Sequence, residues 1–160
     1  MVQKNASTHG CWLMKSEPSC YSIDDLQRDK KTMWDGVRNY QVRNMMRDDI
    51  KKGDRVLFYH SNAAEIGVVG EMEVSREAYP DPTQFDPKND HYDPKSKPEN
   101  PRWLCVDVRF KSKFPRTVTL NEMKLERGLS TMPVLQKGNR LSVTPLSAND
   151  YDRIVEMSRS

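Results

Sequence analysis

Apolar positions recur along this chain in two periods. Arg55-Val56-Leu57-Phe58-Tyr59-His60-Ser61 is a continuous apolar run with polar ends, the pattern of a strand buried on both faces at its centre. Trp103-Leu104-Cys105-Val106-Asp107-Val108-Arg109-Phe110 alternates, as expected of a strand with one buried face. Trp12 to Ser16 reads as a short strand ended by Pro18, and Ile66 to Val74 as another whose two glycines, Gly67 and Gly70, predict a bulge or tight curvature. Arg140 to Thr144 reads as a last strand. Helical spacing appears where Val42, Met45, Met46 and Ile50 make one face and Asn39, Arg43, Arg47 and Lys51 make a second, with Gly53 as the expected C-terminal cap. Ser22 with Asp25 predicts a helix N-cap, with that helix ending near Asp29. Thr119 with Glu122 fits a capping box that opens a helix to about Arg127, stopped by Gly128. Ser147 to Asp150 is expected to cap a C-terminal helix carrying Tyr151, Ile154, Val155 and Met157. Strands and helices in this mixture predict a single α+β domain over residues 11–160, after a disordered leader at 1–10.

Two stretches do not fit this pattern. Trp34-Asp35-Gly36-Val37-Arg38-Asn39-Tyr40-Gln41 crowds two aromatics, a carboxylate, a guanidinium and amides into a turn that Gly36 makes possible. It feeds the helix with the basic stripe. Arg76 to Arg102 holds six of the ten prolines, together with Tyr79, Phe85, His91 and Tyr92. A loop of that length is functional or disordered. Its aromatics argue for an ordered surface loop beside a site.

Composition narrows the classes. The chain has 160 residues, 31% charged, with 26 Lys and Arg against 23 Asp and Glu for a net charge of +3. Mean hydropathy is −0.86. That balance allows nucleic acid as a partner without demanding it. No apolar run is long enough to span a membrane, and no signal-peptide pattern opens the chain, so an intracellular protein is expected. Cys11, Cys20 and Cys105 are an odd count without CxxC spacing, which points to a reducing compartment. The sequence carries no P-loop, GxGxxG, GxSxG or HExxH, and His9, Cys11 and Cys20 lack zinc-site spacing. No metal and no cofactor is expected. Lys15, Glu17, Asp35 and His60 are the residues an enzyme would have for acid and base work, but no nucleophile–base pair accompanies them.

A binding role uses more of the unusual residues. A base held outside its helix needs aromatic faces to stack on and hydrogen-bonding groups at its edge. Trp34, Tyr40, Tyr59, Tyr79 and Trp103 can stack. Ser16, Asp35, Asn39 and the backbone near Gly36 can read an edge. Arg43, Arg47 and Lys51 can meet phosphates.

The ordered set Trp12-Leu13-Met14-Lys15-Ser16-Glu17-Pro18, Trp34 to Gln41 with Arg43-Asn44, Phe58-Tyr59-His60-Ser61, Ala78-Tyr79-Pro80-Asp81-Pro82, His91-Tyr92-Asp93-Pro94, Trp103 with Val106-Asp107-Val108, and Gln136-Lys137-Gly138 with Arg140 to Val143 resembles the EVE domain family. The resemblance runs from Trp12 to about Val155. It departs at Val42, where relatives often carry Ala. The resemblance implies a PUA-like fold, a small curved β-barrel ringed by short helices. It also implies kinship with the YTH domains, which hold a methylated adenine of RNA in an aromatic cage. On that basis Lys15, Ser16 and Trp34 border the pocket, Asp35 is the polar neighbour of Trp34, and Tyr79 closes the cage from the long loop. Asn39, Tyr40, Tyr59, His60 and Ser61 complete the candidate pocket, and Arg38, Arg43, Arg47 and Lys51 are the candidate phosphate contacts. The implied function is a monomeric reader of modified bases, with modified cytosine in DNA favoured and no catalysis. The compartment would be the cytoplasm in a bacterium or the nucleus in a eukaryote. The alternatives are a YTH-like RNA reader, an enzyme on nucleic acid using Asp35 or His60, or a protein-interaction module.

Overall fold

The computed structural model describes residues 9–160. Its centre is a six-stranded mixed sheet in the order β2-β5-β4-β3-β1-β6. The strands are β1 (Cys11–Ser16), β2 (Lys31–Trp34), β3 (Arg55–His60), β4 (Gly67–Pro80), β5 (Leu104–Thr119) and β6 (Val143–Leu146). β1 runs parallel to β3, and every other pairing is antiparallel. β2 and β6 lie at opposite edges, so the hydrogen-bonded order does not close on itself among the described residues.

Alternation along the two central strands explains the layers. Trp12 and Met14 of β1 share one face with Val56 and Phe58 of β3. Cys11 and Leu13 share the other with Leu57 and Tyr59. The first face is covered by α1 (Ile23–Asp29) and α2 (Tyr40–Asp48) through Ile23, Leu26, Val42 and Met46. The second is covered by α3 (Leu120–Leu125) and α4 (Ala148–Met157) through Met123, Tyr151, Ile154 and Met157. A sheet buried on both sides accounts for the unbroken apolar run of β3.

Local capping sets the helix starts as the sequence predicts. Ser22 and Asp25 form a capping box on α1, Thr119 and Glu122 form one on α3, and the Ser147 hydroxyl accepts from the Asp150 amide at α4. The helix ends differ. α2 stops at Asp48 with Asp49 as its cap, and Gly53 instead turns the chain into β3 with φ +93°. α3 stops at Leu125, and Gly128 lies within a 3-10 turn over Arg127–Leu129. A residue that can end a helix does so only if tertiary contacts have not ended it first.

Strand limits also shift. β2 occupies Lys31–Trp34, ahead of a stretch read as turn; its polar first half conceals a strand that exists because β5 pairs with it. β4 runs on to Pro80, with Tyr79 opposite Cys105, so the long loop begins at Asp81. β6 starts at Val143 and carries Pro145, which an edge strand tolerates. Of the expected leader, residues 1–8 lie outside the described residues; Gly10 donates its N–H to buried Asp54 at 2.8 Å. No helix among the described residues is long and apolar enough to cross a membrane.

The bend expected at the glycines of β4 is present. Its register against β5 slips between Val68 and Gly70 and again between Glu71 and Met72. A Cβ on Gly70 would sit 2.5 Å from the Ser112 carbonyl oxygen and 2.9 Å from Ile23 Cδ1. Backbone and core both crowd this point, so neither can yield cheaply. Gly70→Ala should therefore cost about 1–3 kcal/mol of stability, as overpacking does, read as a lower urea midpoint at unchanged slope; an unaltered midpoint would mean that the strand crossing is plastic.

Candidate nucleic-acid interface

β1 and β2 end side by side, and the chain leaving each of them walls a cleft. From β1 come Lys15 and Ser16, from the turn into α1 come Cys20 and Tyr21, from β2 come Thr32, Met33 and Trp34, and Asp35 and His91 complete the rim. The cleft measures ≈ 470 Å³. A second lobe of ≈ 420 Å³ shares Lys15, Ser16, Trp34, Asp35 and His91 and extends to Ser61, Arg140 and Ser142. That is a volume in which a nucleobase fits.

Trp34 has two roles at once. Only 8% of it is exposed, and its ring meets Phe58 edge to face with centroids 5.4 Å apart. The same residue lines both lobes of the cleft. It is the one aromatic ring of the core that also forms a wall of this opening.

The turn after Trp34 is built for closeness. Gly36 has φ +82°, and a Cβ there would lie 2.7 Å from His91 Cε1. Its N–H donates to Asp81 at 2.8 Å. Asp81 also receives the Thr83 N–H at 2.8 Å, the Thr83 hydroxyl at 2.5 Å and Arg38 Nη1 at 3.1 Å. Burial pushes the Asp81 carboxyl up, but the donors from Thr83, Gly36 and Arg38 outweigh it and hold the group below its ordinary value. Arg38 then reaches across to the His91 carbonyl through Nε at 3.1 Å and Nη2 at 2.6 Å. So a buried carboxylate fixes an arginine, and the arginine fixes the loop that carries His91.

The loop is ordered along its length by the same means. Gln84 donates to the carbonyls of Asp81 and Trp103 and accepts from the Ser96 hydroxyl and the Trp103 amide, which ties both ends together. Trp103 Nε1 donates to Asp93 at 2.7 Å.

Electrostatics mark two groups in the cleft. Burial lowers the pKa of the Lys15 ammonium. Asp35 is open to water on the cleft side, yet the surrounding walls desolvate its carboxyl in part and Asp81 repels its charge; together they hold it above its ordinary value, with His91 and Arg38 opposing. Solvent in the open cleft limits the size of that shift.

Of the residues expected from sequence, the cleft brings together Lys15, Ser16, Trp34 and Asp35, with Ser61 in the second lobe. The others lie elsewhere. Asn39 caps α2, accepting from the Val42 amide at 3.0 Å. Tyr40 stacks on Trp103 at 4.7 Å. Tyr59 is buried in the core of the opposite face, where burial raises its pKa. His60 Nε2 accepts from the Ile23 amide at 3.1 Å and borders a separate hollow with Asp24 and Lys113; burial lowers its pKa. Tyr79 gives its hydroxyl to Asp107 and its ring to the Arg76 guanidinium, 3.6 Å from the centroid. The place expected for Tyr79 at the rim is occupied by His91.

Among the cations, Arg38 is bound into the loop as described. Arg43 donates to the Arg102 carbonyl and to Asn44. Arg47 pairs with its exposed neighbour Asp48 at 2.8 Å, and exposed Lys51 has no ion pair among the described residues. Sequence reasoning missed Cys20, Tyr21, Thr32, Met33, His91 and Arg140 as walls. Only His91, inside a motif shared with relatives, carried a signal.

Comparison with known proteins adds the family. Residues 10–157 match the EVE domain, and the chain belongs to that family. It is similar to human thymocyte nuclear protein 1, at 43% identity over 172 residues covering 96% of this chain and 75% of the relative. Its fold superposes on a hypothetical protein from Leishmania major with a TM-score of 0.91 at 45% identity, covering 97% of this chain and 98% of the other. It superposes equally on the human THYN1 protein in complex with 5-methylcytosine containing DNA, with a TM-score of 0.88 at 41% identity, covering 95% and 99%.

The raised carboxyl of Asp35 has a stability consequence of definite sign. A folded-state pKa above the unfolded one means that the folded protein holds the proton longer, so stability declines as pH rises from the unfolded to the folded value. Asp35→Asn should therefore melt higher than the parent at neutral pH, and the difference should vanish below the ordinary carboxylate range, where both states are protonated. Melting curves from pH 3 to pH 8 measure this; a variant that melts lower at neutral pH would assign Asp35 a stabilising role.

Proposed function

We propose that this protein is a DNA-binding module that holds a modified cytosine, turned out of its helix, in the cleft between Lys15-Ser16 and Trp34-Asp35. The observation that carries this reading is the cleft itself: a base-sized opening with the Trp34 ring as one wall and unpaired polar groups opposite. The human relative solved with 5-methylcytosine DNA supports the choice of ligand. The glycine-bent strands β4 and β5 support a PUA-like reading of the curved sheet.

The chemistry required is binding. Turning a base out costs a few kcal/mol of lost stacking and pairing. Stacking on an aromatic ring returns about 1–3 kcal/mol. The remainder must come from the base edge and the phosphates. For the phosphates, Arg38 and Arg43 are already used by the protein's own carbonyls and carboxylates. Arg47 is held only by a surface pair, worth about 0–1 kcal/mol, and Lys51 is free to bind. These two, with Arg140 at the second lobe, are the cations we assign to the DNA backbone. His91 replaces Tyr79 in this reading as the group that covers the base from the loop.

Because Trp34 is at once core and wall, Trp34→Ala removes both and should cost about 3–5 kcal/mol of stability, the usual range for a buried Trp. Trp34→Phe keeps an apolar ring against Phe58 while reducing the stacking surface. It should leave the melting temperature within a few degrees of the parent and weaken binding to a 5-methylcytosine duplex by up to about tenfold. Equal affinity for the two proteins in a fluorescence-anisotropy titration would remove Trp34 from the site.

The phosphate assignment predicts a salt signature. Arg47→Gln and Lys51→Gln should each reduce the slope of log K against log salt by about 0.9, the value for one duplex phosphate contact, and should do so on methylated and unmethylated DNA alike. Slopes equal to the parent in both variants would return the stripe to solvent.

A further inference from the structure

The cleft has a donor–acceptor polarity that one hydrogen bond decides. Ser16 Oγ lies 2.6 Å from the Tyr21 carbonyl oxygen. A carbonyl only accepts, so the serine proton is committed to Tyr21, and what the hydroxyl presents elsewhere is its lone pairs. Ser16 lines both lobes, so these lone pairs are the acceptor that β1 contributes to the site. Its neighbour Lys15 lines the same lobes and has the opposite character, an ammonium with three donors, no acceptor and no ion-pair partner among the described residues. The end of β1 therefore offers an acceptor beside a donor.

That pair matches one pyrimidine edge and rejects the other. Cytosine presents an exocyclic amine donor next to a ring nitrogen acceptor. Thymine presents a carbonyl acceptor next to a ring N–H donor. Against Ser16 and Lys15 the cytosine edge places donor on acceptor and acceptor on donor, and the thymine edge places like on like at both positions. Thymine carries the same 5-methyl group as 5-methylcytosine, so a cleft that sensed only the methyl group would not separate the two. We infer that Ser16 is the specificity residue that accepts the exocyclic amine of the bound base, so that this cleft takes 4-aminopyrimidines and refuses thymine. The inference rests on the reading of the cleft as a base pocket.

Four duplexes test it, each with one variable base opposite an abasic site, so that no base pair is broken on turning that base out: 5-methylcytosine, cytosine, thymine and 5-methyl-2-pyrimidinone. The last lacks both the amine and the carbonyl. The parent protein should bind the 5-methylcytosine duplex about tenfold or more tightly than the thymine duplex, because one hydrogen bond is lost and a buried acceptor faces another. It should bind the pyrimidinone duplex with intermediate affinity, having lost the bond without gaining the repulsion. In Ser16→Ala the advantage of 5-methylcytosine over 5-methyl-2-pyrimidinone should shrink toward one, while its advantage over cytosine is retained. Ser16→Thr keeps both the donor to Tyr21 and the lone pairs, and should keep the parent's ratios. The two failures are separable. A parent protein that binds 5-methylcytosine and cytosine equally overturns the modified-base reading. One that prefers 5-methylcytosine to cytosine but binds 5-methyl-2-pyrimidinone as well as 5-methylcytosine overturns the role of Ser16 while leaving that reading intact. This second comparison needs only the parent protein, so it decides the matter even if Ser16→Ala does not fold.

Discussion

The buried carboxylate of Asp81 is the constraint on which the site depends. It stands at the exit of β4, and it gathers the Gly36 amide, the Arg38 guanidinium and both polar groups of Thr83. Burying a charge is costly unless donors surround it, and here they come from three separate segments. The turn after β2, the start of α2 and the long loop are therefore held together by one ion. Remove any partner and a charge is left without compensation. The geometry of the cleft follows, because Gly36 sets where His91 rests and Arg38 sets where the His91 carbonyl lies.

A second constraint comes from the sheet. β1 is paired on both sides, parallel to β3 and antiparallel to β6, so its end cannot drift. β2 is an edge strand fixed only through β5. The cleft lies between a strand end held from two directions and a strand held from one. A base can then be received between polar groups of fixed position on β1 and an aromatic ring locked against Phe58, which is the preorganisation that tight recognition requires.

The same demand for order explains what became of the cations and aromatics. Arg38 and Arg43 look in sequence like part of a phosphate-binding stripe, but their guanidinium groups are consumed by the Asp81 carboxylate and by the carbonyls of Val37, His91 and Arg102. Tyr40 and Trp103 stack on each other and brace the loop. Tyr79 and Asp107 satisfy one another across β4 and β5. What remains for a ligand is a small set, Lys15, Ser16, Trp34, Asp35 and His91, with Arg140 beyond.

Features that depend on neighbours within a few residues were legible in the chain itself. The capping boxes of Ser22 with Asp25 and of Thr119 with Glu122, the doubly buried run of β3, the bend at the glycines of β4 and the left-handed turn at Gly36 all follow from local stereochemistry and spacing. The motif around Trp34 and the Lys15-Ser16 pair pointed to the right strand ends. Only the tertiary structure decided which of the aromatic and basic residues stay free. Arg38 and Asp81 are 43 positions apart, and Arg38 and the His91 carbonyl are 53 apart. No local pattern announces such a contact, and an arginine that will bind a phosphate has the same side chain as one that will bind its own backbone. β2 illustrates the same limit, since Lys31 to Trp34 is a strand only because β5 offers it an edge. Residue types and spacing determined the chemical means at hand; long-range pairing determined which of them face the cleft.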